Sequence, residues 1–103
     1  MSVQPTGRWV GTIRAGSKRE HDVFVEGLRS EAGADLLRRC NLTEYALYQQ
    51  ALDLTVVFRT ERPSILAGFL RNRRMWPEFW VFSHPGQEGA EDGRPLIFRW
   101  TRD

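Results

Sequence analysis

The chain has 103 residues, which leaves room for one domain and excludes a multidomain machine. Apolar residues make up 41% and charged residues 27%, the balance of an ordinary folded chain, while four Trp, six Phe and two Tyr are a heavy aromatic load. Net charge is only +2, and beyond the adjacent pairs Arg38–Arg39 and Arg73–Arg74 no long cluster of Lys and Arg occurs, so no nucleic-acid partner is expected. The single Cys40 excludes an internal disulfide and a multi-thiolate metal site. No apolar run is long enough to span a bilayer and no signal-peptide pattern is present, so the expected location is cytoplasmic.

In chain order, residues 1–7 (MSVQPTG) are polar, contain Pro5 and Gly7, and read as a loose leader. Arg8 to Arg14 reads as a strand, with Trp9 and Ile13 on one face and Val10 on the other. Ser17 then serves as an N-cap, and an apolar stripe through Val23, Phe24, Leu28, Leu36, Leu37 and Cys40 predicts helix to Cys40, with a break near Ser30–Gly33. Asn41 fits a helix stop. Leu42 to Gln49 alternates as a strand, and Ala51 to Thr60 reads as a denser one, apolar on both faces; the short link between them predicts a hairpin. Arg62-Pro63-Ser64 opens a second helix carrying Ile65, Leu66, Phe69 and Leu70, with a break at Trp76 and a fresh turn from Pro77. Residues 85–93 form a loop, and Leu96 to Thr101 is the closing strand.

This order is β-α-β-β-α-β, a ferredoxin-like α+β fold with four antiparallel strands and two helices on one face. The uncovered face then carries too much Leu, Val, Phe and Trp for water, and a second copy of the same sheet is its simplest cover. A homodimer forming a closed barrel is the expectation.

Asn41-Leu42-Thr43-Glu44-Tyr45-Ala46-Leu47-Tyr48-Gln49, followed by Asp53-Leu54 and Arg62-Pro63, resembles the central hairpin of small aromatic polyketide cyclases of the tetracenomycin type. Pro77-Glu78-Phe79, Phe98-Arg99-Trp100 and the Ala15-Gly16-Ser17 turn fall where those proteins carry similar segments. The resemblance implies a dimeric α+β barrel, with a pocket between sheet and helices where a poly-β-ketone closes by intramolecular aldol condensation and dehydrates. Glu44 and Tyr45 stand where that family places basic residues. Tyr45-Ala46-Leu47-Tyr48, the Trp76 to Trp80 pair and His21 are also similar to the L-rhamnose mutarotases, in which a histidine near the start of the first helix is catalytic. Antibiotic-biosynthesis monooxygenases share the fold and work without cofactor or metal.

Aldol closure needs a weak base, a donor for the enolate oxygen and a pocket that holds one chain fold. His84, in Phe82-Ser83-His84-Pro85 at a loop mouth, is the first candidate base, because an imidazole titrates near neutrality. Tyr48 is a candidate carbonyl donor, and Glu78 and His21 are further acid–base candidates, with helix capping and a solvated helix position as their plainer readings. Trp76, Trp80 and Phe82 are candidate ligand walls or core aromatics. Arg59 is expected either to pair with Asp53 or to stabilise an enolate. No phosphate loop, metal-spaced cluster or nucleophile elbow is present, so no cofactor and no metal are expected, and the partner is a small aromatic or polyketide molecule. A non-catalytic ligand-binding barrel is the alternative from another class.

Overall fold

The computed structural model describes residues 6–60, 76–86, 89 and 91–102, with residues 6 and 82–85 as backbone. Its elements are β1 (Thr6–Ile13), α1 (Lys18–Arg29), α2 (Glu31–Arg39), β2 (Leu42–Gln50), β3 (Asp53–Thr60), β4 (Trp80–Pro85) and β5 (Leu96–Thr101). The fold is α+β, with one five-stranded sheet in the order β4-β1-β3-β2-β5 and every neighbouring pair antiparallel. β1 and β2 therefore run parallel, with β3 inserted between them, which is compatible with the split βαβ pattern.

Two expectations change. The sheet has five strands rather than four: Trp80–Pro85 is a strand on the β1 edge, and Leu96–Thr101 is a fifth strand on the β2 edge. A hydrogen-bonded turn from Pro77 (Trp80 N–H to Pro77 O, 3.0 Å) leads into β4, where the β-branched and aromatic run Trp-Val-Phe favours extended backbone. Thr6 and Gly7 belong to β1 rather than to a leader, and residues 1–5 lie outside the described residues. The expected second helix, residues 62–75, also lies outside them.

The helix from Ser17 breaks where Ser30 and Gly33 stand. Ser30 takes an extended backbone conformation (φ −78°, ψ 168°) and its hydroxyl accepts from the Gly33 N–H at 3.2 Å, capping α2. A Cβ at Gly33 would lie 2.4 Å from the Gly27 carbonyl oxygen, so only glycine lets α2 fold back against the end of α1. Asn41, at φ 59°, ends α2 in the left-handed conformation.

Both helices supply apolar side chains to one core. Val25, Leu28 and Leu37 meet Ile13, Tyr45, Leu47, Leu54, Val56 and Phe58 from the sheet. Antiparallel register places Tyr45, Leu47 and Gln49 opposite Phe58, Val56 and Leu54, on this helix-side face.

The other face carries Val10, Ala46, Tyr48, Thr55, Val57 and Arg59. Ala46, Thr55 and Val57 are nevertheless buried, at 1%, 0% and 7% exposure, in the single chain. β4 and β5 lie on opposite edges of the sheet, roughly 19 Å apart over four strand spacings, and Gly86, Glu91, Arg94 and Pro95, which come between them in the chain, contact β1, β3 and β2. Gly86 N–H donates to Arg8 O (2.8 Å), Arg8 pairs with Glu91 (3.1 Å), Arg94 donates to the Thr55 hydroxyl (3.2 Å), and Gln49 N–H donates to Pro95 O (3.0 Å). Ala46, Thr55 and Val57 are thus covered from within the single chain.

Candidate active site

Helix α1 presents His21 inward, and its side chain is fully buried rather than solvated. Trp80, the first residue of β4, donates its indole N–H to His21 Nδ1 at 2.9 Å. Indole is a donor only, so Nδ1 accepts and Nε2 carries the ring hydrogen. Nε2 then donates to Gln49 Oε1 at 2.7 Å, and Gln49 Nε2 donates to the Ala51 carbonyl at 2.9 Å, which fixes the amide's orientation. The result is a directed relay from Trp80 through His21 and Gln49 to the β2–β3 turn. Each member is held from a different element: α1, β2 and β4.

A cleft of about 380 Å³ opens over this relay, lined by His21, Asp22, Val25, Glu26, Arg29, Gln49 and Ile97. Arg29 organises its rim. One guanidinium nitrogen contacts Glu26 at 2.6 Å and the other donates to the Ile97 carbonyl at 2.7 Å, tying α1 to β5. Behind His21 the aromatic side chains stack on one another. Phe24 meets Trp80 edge-on at 4.9 Å between centroids, Trp76 meets Trp80 at 6.2 Å, and Phe58 meets Trp76 at 6.1 Å.

The sequence-derived candidates divide across the sheet. His21, Trp76 and Trp80 come together on the helix side, although Trp80 begins a strand rather than continuing a helix past Pro77. Tyr48 and Arg59 lie on the opposite face. The Tyr48 hydroxyl accepts from Arg99 at 3.0 Å, and Arg59 pairs with Glu44 at 3.4 Å rather than with Asp53. Glu78 is exposed in the turn before β4, where its carbonyl accepts from Arg14 at 3.3 Å. Phe82 and His84 are backbone positions of β4, paired with Gly11 and Val10, and their side chains lie outside the described residues.

Sequence reasoning missed Gln49. Its signal was present: it continues the Tyr45–Leu47 stripe, so a polar amide falls on the buried face of the strand and needs a partner there. It also missed the Tyr45 hydroxyl, which is fully buried with no hydrogen-bond partner among the described residues. Burial, and then the nearby Cys40, push that phenol well above the usual tyrosine range. Among the described residues no cluster of His, Cys, Asp and Glu is placed to hold a metal ion. No helix among them is long and apolar enough to cross a membrane. No protein-family model, curated protein or solved structure matches this chain.

Proposed function

We propose that the protein is a cofactor-independent enolising enzyme, on a ferredoxin-like frame, that closes a poly-β-ketone by intramolecular aldol condensation. The observation that carries this reading is the fixed His21 tautomer beside a carboxylate-edged cleft. With Nδ1 occupied by the Trp80 donor, the ring is a neutral N–H donor aimed from Nε2. A neutral imidazole donor suits an oxygen that gains negative charge without needing to capture a proton, as an enolate oxygen does.

In the proposed reaction a substrate carbonyl displaces the Gln49 amide from His21 Nε2–H. The Asp22 carboxylate on the rim takes a proton from the methylene between two carbonyls, whose electron pair moves into the enolate. The enolate carbon then attacks a distal carbonyl of the same chain, forming the ring bond, and the new alkoxide recovers a proton before water is lost. Glu26 is held by Arg29 and serves the cleft's shape. All these residues come from one chain, so the homodimer implied by the resemblance adds nothing to this chemistry. Sugar mutarotation fits less well, because it calls for a proton delivered to a ring oxygen, and a neutral imidazole N–H does not supply one readily.

The test is hydrogen–deuterium exchange at the acidic methylene of a simple β-diketone, followed by NMR. Exchange faster than buffer, lost in Asp22→Asn and reduced at least tenfold in His21→Phe with the fold intact by circular dichroism, is expected. A wild-type chain that leaves exchange at the buffer rate removes the enolising reading. Ligand retention without exchange would then mark a binding protein, and accelerated anomer interconversion of a free sugar a mutarotase.

A further inference from the structure

The geometry points to a second binding site, in the groove between α1 and α2, for a small apolar acid: an alkyl chain lying between the two helices, with its carboxylate held by Arg39. This stands apart from the enolising reading, since among the described residues the groove shares no lining residue with the cleft over His21.

Three observations carry it. First, the groove is a formed cavity of about 440 Å³, a size that encloses small-molecule ligands. Its apolar wall is Phe24 and Leu28 of α1 with Ala32 and Leu36 of α2. Leu28 belongs to the core, and Phe24 and Leu36 pack against it, so the fold itself fixes this wall. The wall is mostly aliphatic, and an alkyl chain is the body it fits.

Second, Gly27 keeps the groove deep. It has no positive φ, and a Cβ there would meet nothing within 4 Å beyond its own helix, so neither backbone conformation nor packing requires glycine. A glycine inside a helix costs stability relative to alanine. The missing side chain instead leaves bare backbone on α1 for a ligand to lie against.

Third, one charge at the rim is uncompensated. Asp35 is paired with Arg38 at 3.2 Å, whereas the Arg39 side chain makes no ion pair or hydrogen bond among the described residues. Arg102 reaches the same end of α2, donating to the Arg38 carbonyl at 3.3 Å. Positive charge therefore exceeds negative where the groove ends, and a single carboxylate is its complement.

Decanoate, kept below its micelle concentration, is the probe, and amide chemical-shift mapping of the full chain is the measurement. Saturable shifts at Gly27, Leu28, Gly33 and Leu36 are expected. Arg39→Gln should weaken decanoate roughly threefold to fivefold, the range of an exposed ion pair, and leave the affinity for decanol unchanged. Ala32→Trp, at an exposed helix position, fills the groove and should abolish binding of both. The proposal is overturned by a wild-type chain without saturable shifts, by shifts confined to the cleft over His21, or by equal decanoate affinity in wild type and Arg39→Gln. Retained binding in folded Ala32→Trp overturns it as well. If that variant does not fold, Gly27→Leu blocks the groove from α1, and there loss of binding supports the site and retention overturns it.

Discussion

Ala51 holds φ at 54°, a left-handed conformation that costs a residue with a Cβ about 1 kcal/mol. The Gln49 amide grips its carbonyl, and the adjacent Leu52 carbonyl accepts from Ile13 N–H at 2.8 Å, so the turn is held from two directions. Ala51→Gly should relieve the strain and raise stability by about 0.5–1 kcal/mol, read as a higher urea midpoint at unchanged slope. Tyr45 poses the opposite problem, a fully buried hydroxyl with no hydrogen-bond partner among the described residues. Removing an unpaired buried group of that kind recovers about 1 kcal/mol, so Tyr45→Phe should match or exceed the wild-type midpoint. A clear loss of stability would show that the hydroxyl has a partner. Neither feature is visible in sequence, because alternation marks Tyr45 as inward-facing without showing where its oxygen ends.

At the scale of elements, β1, β2, β3 and the broken first helix were legible because their apolar spacing and their stop signals, Ser30, Gly33 and Asn41, agree with one another. β4 was not. Its Trp-Val-Phe run follows Pro77, and a short apolar run after a proline suits a helical turn as well as a strand until its pairing with β1 decides the matter. The same ambiguity hid the site: Trp80 reaches His21 from a strand, a geometry no helical spacing predicts. The Arg8–Glu91 pair has its own signature in pH. Partial burial alone would raise the Glu91 carboxyl, but the hydrogen bond and charge of Arg8 outweigh it and hold Glu91 below the usual carboxylate range. A carboxyl lowered on folding contributes stability above its unfolded pKa of about 4.3, and that contribution disappears as pH falls through the lower folded value. Wild type should therefore exceed Glu91→Gln by up to about 1 kcal/mol at pH 7, with the gap closing below about pH 4. A gap independent of pH, followed by thermal melts, would detach Glu91 from the ion pair.

For the whole molecule, stability is unevenly distributed. β3 sits at the centre of the sheet with six of its eight residues buried, whereas no residue of β5 is buried and, among the described residues, it pairs only with β2. Hydrogen exchange should reach β5 amides first and β3 amides last, by at least tenfold, and equal protection in the two strands would contradict this gradient. Sequence alternation identified both strands, but it carries no information about which lies at an edge, because strand order is set by how connections cross the sheet.

The Arg94–Thr55 contact also orders events during synthesis. Thr55 on β3 is made 39 residues ahead of the Arg94 that donates to it, so β1, β2 and β3 can pair before that contact exists. The sheet's centre is therefore laid down first, and the tie from Arg94 is added to strands already in register.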